Sequence, residues 1–163
     1  MNFKKIFLAT LFLSINIYAE TNSIVAVLNN KPFTSKMLEN YTKLSALNKE
    51  QNIKKMIEDY LIQLFVDKNN LSPSKSLINL NIQKFASSNN ISIEEFVALN
   101  EFPNIKFSIE KKIYREIAKE ILSKKKSKTL DKNKSGIVKK SIDEKLDFWL
   151  KEQFENSYIE IYK

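Results

Sequence analysis

The chain has 163 residues, a formal net charge of +8, a single glycine, and neither cysteine nor histidine. Without cysteine there is no disulfide or thiolate nucleophile, and without histidine there is no imidazole base and no common zinc ligand. A single glycine also excludes the glycine-rich loops that hold nucleotide phosphates. We therefore predict a protein that is not an enzyme and that uses no cofactor and no metal, although the composition alone leaves a serine–lysine hydrolase open.

The first 19 residues have the layout of a secretory signal peptide. Lys4 and Lys5 precede an apolar run over residues 6–17, and Ala19 supplies a small residue before the polar Glu20. The run of about 12 residues is shorter than the roughly 20 that span a bilayer as a helix, so no integral membrane anchor is expected. We predict cleavage near Ala19 and export to the periplasm.

Apolar spacing then predicts a mainly helical domain. A β-branched strand over 23–28 and a turn over 29–32 come first. Apolar residues three and four apart follow, which is the period of an amphipathic helix. The predicted helices are one over 35–47, a strongly apolar one around 53–66, one that Ser72 caps with Pro73 in its first turn, and a short one that ends before Pro103.

Two sequences with the spacing of a capping box mark helix starts. Ser92 with Glu95 opens the short fourth helix, and Ser141 with Glu144 opens the last helix. Between them lies a long fifth helix with isoleucine at every fourth position from Ile109 to Ile121. Residues 123–140 lose the apolar pattern and are predicted to be a polar linker.

Alternating residues over 158–162 predict a strand at the far end of the chain. An isolated strand leaves its backbone donors and acceptors unpaired, so we expect it to pair with the strand over 23–28 as a small two-stranded sheet. Such a ribbon is marginal alone and must lie on the helices. The predicted organisation is therefore a signal peptide (1–19) and one domain made of 20–122 and 141–163.

The charged residues do not indicate a nucleic-acid-binding site or a catalytic pair of carboxylates. All of the cationic residues except Arg115 are lysine, whereas base-edge and bidentate phosphate recognition favour arginine, so no nucleic-acid partner is expected. Glu58 with Asp59 and Glu94 with Glu95 are adjacent carboxylates, but neighbouring positions on a helix point in different directions. We interpret them as solvated surface charge.

The order of these elements resembles the amino-terminal domain of SurA-type periplasmic chaperones. The similarity rests on Val-Ala-Val-Leu-Asn-Asn over 25–30, Ser-Lys-Met-Leu over 35–38, the helix containing Met-Ile-Glu-Asp-Tyr-Leu-Ile-Gln over 56–63, and the Ser88–Phe96 motif before a long helix over 105–124. Residues 142–162 resemble the segment that completes the family's core domain.

The resemblance implies a chaperone that binds unfolded outer-membrane or secreted polypeptides without ATP. Family members usually carry parvulin isomerase domains between these pieces, and 123–140 is too short for one. Prolyl isomerase activity is therefore not expected. A groove that accepts many clients needs flexible or aromatic contacts. The candidate client-contact residues are Met37, Tyr41, Met56, Tyr60, Phe85, Phe96, Phe102 and Phe107.

For each of these residues, ordinary core packing is the competing interpretation, because aromatic residues at helical spacing usually pack inside. Phe102 and Phe107 flank Pro103 outside clear helical periodicity and are the stronger candidates. Three further alternatives stay open: a basic surface protein that binds anionic lipid or a host surface, a catalytic relic with isomerase activity, and a homodimer formed by swapping the terminal strand or helix.

Overall fold

The computed structural model describes residues 22–124 and 141–162. The described chain is mainly helical, as predicted, with a small antiparallel sheet. Its elements are β1 (Ile24–Leu28), β2 (Lys31–Thr34), α1 (Ser35–Thr42), α2 (Lys49–Lys68), α3 (Lys75–Ser88), α4 (Ile93–Val97), α5 (Phe102–Lys124), α6 (Ile142–Glu155) and β3 (Ile159–Ile161).

Two predicted segments fall largely outside the described residues. The signal peptide over 1–19 lies wholly outside them, as do residues 125–140 of the predicted linker. The linker boundary needs one correction, because Ser123 and Lys124 belong to the last turn of α5.

The sheet has three strands in the order β2-β1-β3, one more than predicted. Asn29 and Asn30 have φ angles of 46° and 68°, so both central residues of the turn are left-handed. That geometry is typical of a type I′ two-residue hairpin turn, which asparagine tolerates well. The chain therefore returns directly as β2, and Pro32 is accommodated because β2 is an edge strand.

The two ends of the described chain meet in the sheet, as the sequence predicts. Ala26 lies opposite Ile161, and Leu28 lies opposite Ile159. The backbone N–H of Asn29 donates to the carbonyl of Tyr158, and that of Tyr162 donates to the carbonyl of Val25, both at 2.9 Å. Just before β3, the hydroxyl of Tyr158 donates to the carboxylate of Glu160 at 2.9 Å.

Asparagine pairs also end two helices. Asn70 and Asn90 have φ angles of 55° and 56°, and each follows the residue that caps α2 or α3. The N–H of Leu71 returns to Val66, and that of Ile91 returns to Ala86, which is the Schellman arrangement. Helix α3 starts at a different cap from the one predicted, because Ser74 rather than Ser72 accepts the N–H of Leu77.

Helix α5 begins earlier than the sequence suggests. It includes Phe102 and Pro103, so Phe102 and Phe107, the stronger candidates for client contact, both lie in regular helix, and both are half-buried. Proline fits the first turn because the N–H that it lacks has no acceptor within the helix there. Both phenylalanines consequently project from one rigid element.

The main core joins the sheet to α1, α2, α5 and α6. From α6, Leu146 (2% exposed) and Leu150 enter the core, and the Trp149 ring packs on Phe65 of α2 with centroids 4.6 Å apart. The last helix is thus part of the fold. A second cluster, between α3, α4 and α5, consists of Ile82, Ala86, Phe96, Ile109 and Ile113.

We expect Leu146→Ala to lower the free energy of unfolding by about 2–5 kcal/mol, because it leaves a cavity in the main core. Leu80→Ala is the matched control: the same side chain is removed from α3, where Leu80 is 46% exposed, and a change within about 0.5 kcal/mol is expected. Chemical denaturation of both variants measures the difference. Equal effects would show that α6 does not close the core.

Candidate functional site

A buried carboxylate ties three helices together. Asp59 of α2 is 4% exposed. One guanidinium nitrogen of Arg115, on α5, lies 3.5 Å from an Asp59 carboxylate oxygen and 3.8 Å from one of Glu58. The phenol of Tyr41, on α1, is hydrogen-bonded to Asp59. We call Tyr41, Asp59 and Arg115, with Glu58 at the margin, the acidic clasp.

The surroundings of Tyr41 in the acidic clasp keep its hydroxyl protonated, so that it can donate a hydrogen bond. Burial, together with the charge and the hydrogen bond of Asp59, raises the pKa of Tyr41 well above its usual value, so the hydroxyl stays protonated. Burial also raises the pKa of Glu58, although Arg115 acts in the opposite direction. The interpretation of Asp59 as solvated surface charge is therefore wrong. Glu94 and Glu95 are exposed, and Glu95 closes the predicted capping box with Ser92.

A partly open recess of about 410 Å³ adjoins the clasp. We call it the basic recess because cationic side chains outnumber acidic ones around it. Its lining residues are Tyr41, Leu44, Lys55, Asp59, Phe107, Ser108, Lys111, Lys112 and Arg115.

Lys111 has unusual surroundings in this recess. Its ammonium lies 3.4 Å from the side-chain oxygen of Gln63 and 5.2 Å from the centroid of the Phe107 ring. Both contacts are with uncharged groups. Burial lowers the pKa of Lys111, while the charges of Asp59, Glu110 and Asp67 act less strongly in the other direction.

A smaller recess of about 140 Å³ lies next to it and shares Tyr41, Phe107 and Lys111. The structure brings five of the predicted client-contact residues together around this space: Met37, Tyr41, Met56, Tyr60 and Phe107. Tyr41 and Met56 are buried, Tyr60 and Phe107 are half-buried, and Met37 is exposed. The Tyr41 and Phe107 rings meet edge to face at 5.2 Å, so most of this aromatic surface already packs within the protein.

The largest of these spaces, about 580 Å³, is a groove between α3 and α5. Its apolar lining comes from Leu77, Phe85, Ile109, Ile113 and Ile117, and we call it the α3–α5 groove. Its polar lining carries both signs of charge together with amides and a hydroxyl: Asn81, Lys84, Ser88, Asn89, Lys112, Glu116 and Glu120.

The other predicted contact residues form an aromatic row beside this groove. Phe96 lies between Phe85 and Phe102, with ring centroids at 5.3 and 5.4 Å. Phe96 is buried and Phe102 is half-buried, whereas Phe85 is 39% exposed and lines the groove. Of these three residues, Phe85 is thus the one placed to meet a ligand directly.

Sequence reasoning missed the isoleucine wall of the groove and the lysine of the basic recess. The four-residue spacing of Ile109, Ile113 and Ile117 was predicted, but not that these residues line a groove beside α3. Arg115 carried a signal, as the single arginine of the chain. Phe107 lies four residues before Lys111 on α5, but the contact of Lys111 with Gln63 joins residues 48 positions apart in the chain, which no local pattern indicates.

Over residues 22–124 and 141–162, no group of three or more acidic, histidine or cysteine side chains could hold a metal ion. In that same part of the chain, no helix is long and apolar enough to cross a membrane. The sequence matches no protein-family model and no curated protein. The resemblance to the SurA amino-terminal domain therefore stays a prediction.

We expect Tyr41→Phe to lower the free energy of unfolding at neutral pH by about 1.5–3 kcal/mol, since it removes a hydrogen bond to a buried charged group. Tyr158→Phe is the matched control, because its hydroxyl also bonds a carboxylate, Glu160, but at a site where Tyr158 is 61% exposed. The control should change stability by less than about 0.5 kcal/mol. Equal values from denaturation curves would contradict the clasp.

Proposed function

We propose that the protein is an ATP-independent periplasmic chaperone that binds apolar segments of unfolded outer-membrane or secreted polypeptides and has no prolyl isomerase activity. The α3–α5 groove is the observation that carries this proposal. Its volume of about 580 Å³ falls within the range of about 300–1,000 Å³ that is typical of ligand pockets.

The chemistry of the groove suits a ligand that is apolar but variable in sequence. Aliphatic and aromatic side chains line it, so a bound segment is held chiefly by the burial of apolar surface, which has no directional requirement. Two lysines and two glutamates surround it, so neither sign of client charge is strongly preferred. Side-chain amides can hydrogen-bond a client backbone whatever its sequence.

Helix α3, which forms one wall of the groove, is held by few buried apolar contacts. Helices α3 and α4 rest on α5 through the small second cluster, whereas the main core joins the sheet to α1, α2, α5 and α6. Regions with few buried apolar contacts open at lower free energy than the core of a protein. A groove whose wall moves in this way would accept side chains of different sizes. We expect micromolar dissociation constants, equivalent to about −8 kcal/mol.

The direct test is suppression of aggregation of an unfolded outer-membrane protein by residues 20–163. The double variant Leu77→Gln/Phe85→Gln removes the two exposed apolar side chains of the groove. Binding should become at least tenfold weaker, a loss of about 1.4 kcal/mol, so that proportionally more protein is needed.

A matched control is Leu80→Gln/Leu99→Gln, which removes two apolar side chains that are at least as exposed and do not line the groove. The control should retain full activity. Circular dichroism and denaturation must show that both variants remain folded. A folded groove variant with undiminished activity would contradict the proposal.

Salt separates this function from anionic-lipid or surface binding through lysine faces. Between about 0.1 and 1 M salt the Debye length falls from about 10 to about 3 Å, which screens exposed charges but leaves apolar burial intact. Suppression should therefore persist at 1 M salt. Loss of suppression at 1 M salt, accompanied by salt-sensitive binding to anionic vesicles, would favour the lipid-binding alternative. Turnover of a proline peptide above background would favour the isomerase relic.

A further inference from the structure

The basic recess carries an excess of positive charge. Lys55, Lys111, Lys112 and Arg115 line it, against the single carboxylate of Asp59. Arg115 is already paired with Asp59 and Glu58. Among the described residues, the three lysines form no ion pair within 4 Å. The recess therefore has a net positive charge that these contacts do not neutralise.

Lys111 is the cation that most needs a partner. It is partly removed from water, and its two close contacts are the Gln63 amide oxygen and the face of the Phe107 ring. Neither contact neutralises a charge, and the carboxylates of Asp59, Glu110 and Asp67 offset the unfavourable burial of the ammonium only in part. An anion beside Lys111 would relieve this cost.

One wall of the same recess is apolar. Phe107, Leu44 and the ring of Tyr41 line it, and Leu44 is 40% exposed. A simple inorganic anion would leave this surface in contact with water. The combination of ammonium groups and an apolar wall fits an anion that is attached to an apolar group.

The geometry also favours a carboxylate over a phosphate. Bidentate phosphate recognition is a property of arginine, and here Arg115 is committed to two carboxylates. Lysine, as a point charge with three donors, is suited to a carboxylate in several orientations.

We propose that the basic recess binds a carboxylate attached to an apolar group, with the Lys111 ammonium as its direct partner and Phe107 and Leu44 against the apolar group. Such a ligand has two sources, the carboxyl terminus of a polypeptide with an apolar last residue, or a short fatty acid. This site is distinct from the α3–α5 groove and does not depend on the function proposed for that groove.

The test uses a fluorescent tetrapeptide ending in leucine, as the free acid and as the carboxyl-terminal amide, with residues 20–163. Anisotropy titration should give at least tenfold tighter binding of the acid. Lys111→Gln should remove this preference, and Lys111→Arg, which keeps the charge, should retain most of it. Lys84→Gln is the control, because Lys84 borders the α3–α5 groove and not the basic recess.

The two sources are distinguished by competition with octanoate. Displacement of the acid peptide supports a site for apolar carboxylates in general, and no displacement supports one that also requires the peptide backbone. Equal affinity for acid and amide, or an acid preference that survives Lys111→Gln in a folded protein, overturns the proposal. Leu77→Gln/Phe85→Gln should leave the preference unchanged, so failure at one site is separable from failure at the other.

Discussion

Burial of the Asp59 carboxylate is the constraint on which the basic recess and the α3–α5 groove both depend. A charge removed from water is tolerated only when it is paired and hydrogen-bonded, and here one partner comes from α1 and the other from α5. Satisfying that single charge therefore fixes two helices on α2. Since α5 forms a wall of both the basic recess and the α3–α5 groove, the clasp also sets the position of each.

Helix α5 separates two kinds of chemistry by its own geometry. Phe107, Lys111 and Arg115 recur every four residues, and the isoleucines of the groove recur at the same interval, offset by two positions. Residues two apart on a helix are rotated by about 200°, so the two sets face nearly opposite directions. A charged site and an apolar site thus coexist about one helix diameter apart, roughly 10 Å, with Lys112 at the margin of both.

The elements were largely predictable because their signals are local. Apolar spacing located the helices, the capping boxes at Ser92 and Ser141 marked two starts, and unpaired backbone groups required the terminal strands to meet. Strand β2 was missed because Pro32 argues against a strand. The positive φ angles of Asn29 and Asn30, which produce the hairpin, cannot be deduced from the sequence alone. The burial of Asp59 depends on how α2 and α5 cross, which no local pattern encodes. The groove lies between residues 77–89, on the α3 side, and residues 109–120 of α5, and the gap between the two helices likewise depends on how they cross.

Strand β3 has a consequence for the behaviour of the protein in concentrated solution. The backbones of Tyr158 and Tyr162 are hydrogen-bonded to β1. The backbone N–H and C=O groups of the alternate residues Ile159 and Ile161 therefore point to the other side of β3, the open edge of the sheet. Two copies joined antiparallel through both of these residues would bring Glu160 of one copy directly opposite Glu160 of the other. Like charges in that position oppose pairing. The carboxylate thus acts as a gatekeeper against fibril growth along this edge.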